Sequence, residues 1–263
     1  MKTIFKNECK MNAKMLLIWG LVVGGLGFFC ITLYESMQGD MANMADAFSK
    51  MGAFSDAFGM STLSIATIEG FFATEVGTVH GLGSAMFAAI LAIGIISKEE
   101  EGHSGEFLFS LPLSRRKVLL SKGLCVFVLL AAFTVLCTLL YIGGFAVLGE
   151  DLPVKEFARF MGGQFLMNVE IAAICFAVSS LSGKNRMGLG IGIALIFYLY
   201  DIIGRVVPDL KDYIFVGPFS YANASEIFSG AEERPVAVIL GVVIALLAGA
   251  SAFICYDRRD LAA

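Results

Sequence analysis

Long apolar runs are the feature that most limits what this chain can fold into. Several stretches of the 263-residue sequence hold about 20 or more mainly apolar residues, the length that a helix needs to cross a bilayer. A membrane-spanning backbone must satisfy its own hydrogen bonds, which leaves helices and closed barrels. The sequence therefore predicts one all-α integral membrane domain over residues 1–263. Its six predicted transmembrane helices cover residues 15–34, 76–97, 118–148, 160–181, 187–207 and 235–256.

Composition supports a membrane protein surrounded by lipid. Hydrophobic residues make up 57% of the chain and charged residues only 16%, whereas a soluble domain carries about 25% charged residues. The net charge of −4 argues against nucleic acid as a partner. The six cysteines form no Cys-x-x-Cys pair, so buried free thiols are expected. The two histidines are far apart in sequence, which predicts no metal site.

Basic residues predict the orientation. Lys2, Lys6, Lys10 and Lys14 recur every four residues, the pattern of an amphipathic N-terminal helix on a membrane surface. A signal peptide is the alternative, but the apolar run that follows is too long for one. Most of the 19 lysines and arginines fall in segments on one side of the predicted spans. The positive-inside rule then places both termini on the cytoplasmic side of the cell membrane.

No sequence motif indicates an enzyme. A phosphate-binding loop is missing, because Gly183 and Lys184 have neither the earlier glycine nor the following Ser or Thr of that motif. The nucleophile-elbow and zinc-protease motifs do not occur either. The sequence predicts no catalytic residues, no metal ligands and no bound cofactor.

Two polar residues in the predicted fourth span, Asn168 and Glu170, are candidates for the transport pathway. A carboxylate at that depth is costly and usually faces a protein or water-filled interior. A buried hydrogen bond to a neighbouring span is the alternative. Near the outer end of the fifth span, Asp201 and Arg205 are four residues apart, which favours an ion pair between them over a substrate contact.

The charged segment at residues 98–122, between the second and third spans, carries the most specific pattern. It opens with acids, continues with Glu-Phe-Leu and Ser-x-Pro-x-Ser-Arg, and closes with a lysine. This pattern resembles the cytosolic segment of ABC type-2 exporter permeases. The matching residues are Glu100, Glu101, Glu106, Phe107, Leu108, Ser110, Pro112, Ser114, Arg115 and Lys122. In one departure, His103 stands where the family usually has glycine, and the glycine is Gly102.

The resemblance implies a transport subunit whose separate ATPase partner binds ATP and docks on this segment. A short helix would press apolar side chains into the ATPase and end at Pro112, since helices usually end before a proline. A solvated loop with locally paired charges is the alternative. The implied coupling residues are Glu100, Glu101, Glu106, Phe107, Leu108, Leu111, Pro112, Arg115 and Lys122.

The resemblance also implies a second permease copy or a sister permease, and short re-entrant helices at the outer face around residues 217–221. The expected substrate is amphipathic, such as a peptide, a drug or a lipid-like compound. Two other functions remain open from the residues alone. One is an ion-coupled secondary transporter that uses Glu170, and the other is an integral membrane enzyme that uses the acids of the outer segments.

Overall fold

A computed structural model describes residues 1–49, 51–60, 62–101, 114–181, 186–232 and 234–258. Every regular element in these ranges is helical, and six helices are long and apolar enough to cross a membrane. The predicted fold class is therefore confirmed. The α-helices are α1 (Lys2–Ser49), α2 (Ala53–Phe58), α3 (Ile68–Phe71), α4 (Gly77–Glu101), α5 (Arg115–Leu148), α6 (Val154–Ser180), α7 (Met187–Val206), α8 (Ala224–Phe228) and α9 (Pro235–Arg258).

Helix α1 is a single unbroken helix of 48 residues. At about 1.5 Å per residue it is about 72 Å long, more than twice the thickness of a hydrocarbon core. The predicted N-terminal surface helix and the first span are therefore consecutive parts of one helix. The same helix continues beyond residue 34, where the predicted first span ends.

Helix α4 lies at the centre of the bundle, where it contacts α1, α5, α6 and α7. In the most apolar stretch of the span Ile68–Lys98, which ends in α4, 67% of the residues are buried, against 11% for α9 at the periphery. Helix α6 packs between α4 and α9. The first turns of α1 and α5 and the last turns of α4 and α9 meet at one end of the bundle. We call this the terminal end.

Glycines allow α1 to approach α5 closely. A Cβ at Gly24 would lie 2.6 Å from Cδ1 of Leu140, and a Cβ at Gly27 would lie 2.3 Å from Cε1 of Tyr141. Larger residues at these two positions would require Leu140 and Tyr141 to move or the helices to separate. The two helices consequently share the most extensive contact surface in the described bundle.

An aromatic cluster fills the half of the bundle remote from the terminal end. A π-helical turn (Phe72–Val76) joins α3 to α4 and directs Phe72 into the core. Its ring centroid lies 5.3–5.9 Å from the centroids of Tyr141, Phe145, Phe157, Phe160 and Phe228. His80 Nδ1 lies 2.9 Å from the Tyr141 hydroxyl, so this histidine takes part in core packing.

Between α7 and α9 the chain forms two 3-10 helices (Pro208–Val216 and Pro218–Tyr221) followed by α8. Each 3-10 helix begins with proline, whose fixed φ suits the start of a helical turn. The Asn223 side chain caps α8 by accepting a hydrogen bond of 3.0 Å from the Glu226 N–H. We call residues 208–228 the outer segment. Its re-entrance into the bilayer stays a prediction.

Candidate functional site

The predicted coupling residues lie partly within the described structure. Residues 102–113, which include Glu106, Phe107, Leu108, Leu111 and Pro112, lie outside it. Glu100 and Glu101 belong to the last turn of α4. Arg115 is the first residue of α5, directly after the extended residue Ser114. The end of α4 and the start of α5 therefore form two stems on either side of segment 102–113.

Lys122 points into the bundle. Only 1% of its side chain is exposed. Its Nζ donates a hydrogen bond of 3.1 Å to Glu8 Oε1 and another to the carbonyl of Ile95. Lys122 therefore joins the α5 stem to α1 and α4, and its ammonium does not face a surface on which a partner subunit could dock.

Glu8 connects both stems to the N-terminal part of α1. Its carboxylate is buried, with 4% of the side chain exposed, and Oε2 accepts a hydrogen bond from Lys98 Nζ on the α4 stem. A buried charge without partners would be strongly destabilising, whereas here one carboxylate meets two ammonium groups. We call Glu8, Lys98 and Lys122 the stem cluster.

A second ion pair at the terminal end is exposed. Arg116 Nε donates to Asp257 Oδ2 at 2.5 Å, which links the start of α5 to the end of α9. The Arg116 side chain is 77% exposed, so solvent screens the pair and its net contribution to stability is small. The terminal end therefore holds one buried ionic cluster and one exposed ion pair, so the effect of breaking each can be compared.

Glu170 is buried on α6 and accepts a hydrogen bond of 2.6 Å from the Tyr221 hydroxyl. Burial, reinforced by the nearby carboxylate of Glu170, raises the pKa of Tyr221, so the hydroxyl remains a proton donor. Gly241 on α9 closes the site, because a Cβ there would lie 2.6 Å from Glu170 Oε2. The buried hydrogen bond considered for Glu170 is therefore present, with its donor on the outer segment and not on a neighbouring span.

Asn168 is separated from this pair although it is close in sequence. Residues two apart on a helix point in directions about 200° apart, so Asn168 and Glu170 occupy different faces of α6. Asn168 is 1% exposed, and neither Oδ1 nor Nδ2 has a hydrogen-bond partner in the part of the chain that the structure describes. The structure thus does not bring the two predicted pathway residues together.

The predicted pairing of Asp201 with Arg205 is confirmed and belongs to a larger network. Arg205 donates to both carboxylate oxygens of Asp201, at 2.9 and 3.1 Å. Its Nη1 also donates to Glu226 Oε1 on α8 at 3.1 Å, and Arg234 Nη2 donates to the same oxygen at 3.1 Å. The network fastens the outer segment to α7 and to the start of α9.

Comparison with known proteins decides the family. A family model described as "ABC-2 family transporter protein" matches residues 2–260, nearly the whole chain. The chain belongs to this family. It is also similar to the probable ABC transporter permease protein NosY of Pseudomonas aeruginosa, with 28% identity over 244 residues that cover 76% of this chain and 87% of the relative.

Family membership fixes the general role of the molecule. The chain is a multi-pass permease subunit of an ABC transporter, and ATP hydrolysis resides in a separate ABC ATPase subunit. Permeases of this kind usually work as pairs. The prediction that the chain has no enzymatic activity of its own is confirmed, and the alternatives of a secondary transporter and a membrane enzyme are superseded.

Two functional candidates in this permease were missed by sequence reasoning, namely Glu8 and Glu226. The only signal for Glu8 is that it is a single acid among the four N-terminal lysines. Glu226 shows no signal beyond its position after the capping residue Asn223. Glu8 and Glu226 each bind residues that are distant in sequence or lie on another element. Sequence periodicity does not reveal such contacts.

Proposed function

We propose that this permease is the membrane half of an ATP-driven exporter in the cytoplasmic membrane, and that its ATPase docks on segment 102–113. The observation that carries the proposal is the arrangement of the stems. Both leave the same end of the bundle and are fastened to each other through Lys122 and the Ile95 carbonyl. A push on the segment between them would therefore act on α4 and α5 together, and α4 contacts four of the other membrane-length helices.

Glu106, Phe107, Leu108 and Leu111 are the proposed docking residues. An apolar anchor of this type can contribute about 2 kcal/mol or more to an interface. Glu106 would accept a hydrogen bond from the ATPase, while Phe107 and Leu111 would fill apolar space. Arg115 and the acids at the end of α4 would surround the contact with charge. A short helix docked on the ATPase would bury these large apolar side chains, whereas a solvated loop would expose them.

The substrate is proposed to be amphipathic, such as a peptide, a drug or a lipid-like compound. Supporting this, the elements at the far end of the bundle expose large apolar side chains, including Met51, Tyr213 and Val216. The pathway would form between two permeases, either two copies of this chain or this chain and a sister subunit. Helix α7 offers an open glycine face for such a contact, since nothing lies within 4 Å of a Cβ at Gly188 or Gly192.

A charge reversal combined with an anchor truncation tests the docking. We expect Glu106→Lys with Phe107→Ala to leave the permease folded and inserted, but to abolish transport and to weaken copurification of the ATPase. The control is Glu150→Lys with Val147→Ala, which makes the same charge reversal and a smaller apolar truncation at exposed positions near the opposite end of α5. If the first double variant retains its ATPase and transports normally, segment 102–113 is not the coupling element.

A further inference from the structure

The stem cluster brings together charges from three helices at the terminal end. Glu8 Oε1 takes the hydrogen bond from Lys122 on α5, and Glu8 Oε2 takes the one from Lys98 on α4. Each carboxylate oxygen is therefore assigned to a different stem. Because segment 102–113 begins after α4 and ends before α5, Glu8 holds both of its attachment points at once.

We propose that Glu8 is a positioning residue for energy coupling, which fastens α1 to both stems so that movement of the stems is transmitted to α1. This inference rests on the proposed function, in which an ATPase acts on segment 102–113. If either stem shifts while α1 stays in place, one of the two hydrogen bonds to Glu8 must lengthen. If α1 moves with the stems, both bonds persist.

Burial makes the ion pairs of Glu8 harder to break than exposed ion pairs would be. Lys122 and Glu8 have 1% and 4% of their side chains exposed, so solvent cannot easily replace either partner. Breaking a buried ion pair leaves an uncompensated charge in the interior, whereas an apolar contact at the same place could slide. Buried ionic groups are weak evidence for stability, but they can fix one relative arrangement of helices.

The charges of the stem cluster dictate which substitutions are informative. Two ammonium groups face one carboxylate, so removing Glu8 alone would leave two lysines without that partner. Glu8→Gln combined with Lys122→Met removes one charge of each sign and keeps similar volumes. Lys98→Gln is milder, because Lys98 is 23% exposed and the Glu8–Lys122 pair stays intact. The exposed pair supplies the control, Arg116→Gln with Asp257→Asn.

The experiment uses the full permease reconstituted in lipid nanodiscs with the ATPase that copurifies with it. Spin labels carried by p-acetylphenylalanine replace the exposed residues Lys6 on α1 and Met187 on α7. Their separation is measured by double electron–electron resonance without nucleotide and after trapping with ADP and vanadate. Melting temperature and ATPase copurification are recorded for every variant.

We expect the wild type and the exposed-pair control to show the same nucleotide-dependent change in distance. Lys98→Gln should lose at least half of that change, and Glu8→Gln with Lys122→Met should lose more, while both variants keep the ATPase bound. A distance change as large as that of the wild type, in Lys98→Gln or in Glu8→Gln with Lys122→Met, would overturn the inference. If the Glu8→Gln, Lys122→Met variant does not fold, the result for Lys98→Gln alone decides. Failure of the wild type to bind an ATPase would instead contradict the proposed function.

A native cysteine pair provides a rescue. Cys9 on α1 and Cys125 on α5 neighbour the stem cluster, with their Sγ atoms 3.4 Å apart. In the Glu8→Gln, Lys122→Met variant with the other cysteines replaced by alanine, oxidation with copper phenanthroline would join α1 to α5 covalently. We expect oxidation to restore the nucleotide-dependent distance change to the level of Lys98→Gln, which keeps the same connection of α1 to α5, and reduction to remove that gain. If the cross-linked variant shows no restoration, fastening of α1 is not what Glu8 supplies.

Discussion

At the scale of single residues, Glu170 shows how this permease accommodates a carboxylate inside a bundle. The Tyr221 hydroxyl supplies its hydrogen bond, and Gly241 leaves the space that the two side chains occupy. The close packing of α6, the second 3-10 helix and α9 therefore depends on one glycine. The requirement at this position is steric, since the interior is packed too densely to absorb an added methyl group without movement.

Gly241→Ala should accordingly destabilise the permease by about 1–3 kcal/mol, the usual range for overpacking a core. Its Cβ would lie 2.6 Å from Glu170 Oε2 and 2.9 Å from the Tyr221 hydroxyl. Gly249→Ala on the same helix is the control, because nothing lies within 4 Å of a Cβ there. Thermal unfolding in detergent compares the two, and equal melting temperatures would show that the space at Gly241 is not needed.

Glu170→Gln tests the proposed pathway role separately from the packing role. Glutamine keeps the size of the side chain and an oxygen that accepts from Tyr221, so we expect the melting temperature to change little. Removing the charge should alter transport and its dependence on pH, if the carboxylate takes part in translocation. Transport that matches the wild type at every pH would make Glu170 a purely structural residue.

Sequence reasoning succeeded for residues whose partners are local. Asp201 and Arg205 lie four positions apart on a helix, so their pairing follows from helical geometry. Glu8 and Lys122 are distant in sequence, and only the packing of α1 against α5 brings them together. For the same reason the sequence suggested a surface role for Lys122, which the structure places in the interior.

At the scale of elements, the outer segment depends on ionic contacts for its position. Its helices are short, and a short helix owes most of its stability to tertiary packing. Glu226 on α8 receives hydrogen bonds from Arg205 on α7 and from Arg234 before α9. A single carboxylate on α8 thus connects α7 with the residue that precedes α9.

Glu226→Gln should loosen the outer segment, because the neutral amide weakens both hydrogen bonds to arginine. Hydrogen bonds to a charged group contribute about 1.5–3 kcal/mol and neutral ones about 0.5–1.5 kcal/mol, so each bond should weaken by about 1 kcal/mol. Hydrogen–deuterium exchange should accelerate at residues 208–228, with little change in α5. Asp209→Asn, at an exposed position of the same segment, is the matched control. Unchanged exchange in Glu226→Gln would show that apolar packing alone holds the segment.

Hydropathy located the membrane-length helices but not their full extent. The bilayer requires about 20 apolar residues per span, so the apolar part of each helix is visible in the sequence. Helix α1 extends past residue 34 through a stretch of mixed polar and apolar residues, where hydropathy shows no span. The π-helical turn before α4, which contains Phe72 of the aromatic cluster, was not predicted either, because hydropathy does not mark such a turn.

At the scale of the whole molecule, the distribution of basic residues predicts which end faces the cytoplasm. We expect Ser49 and Ser229 to face the outside and Ser104 the inside. Single cysteines at these positions, in a cysteine-free background, can be probed in intact cells with a membrane-impermeant thiol reagent. Residues 49 and 229 should be labelled directly, and residue 104 only after permeabilisation. The reverse pattern would require the opposite orientation.

The unbroken course of α1 has a mechanical consequence. A continuous helix of this length that moves as one rigid body acts as a lever. From its rise per residue, a tilt of about 10° around its midpoint would displace each end by about 6 Å in opposite directions. A small rotation imposed near Glu8 would thus displace the helix by several ångströms near residue 49, on the opposite side of the membrane.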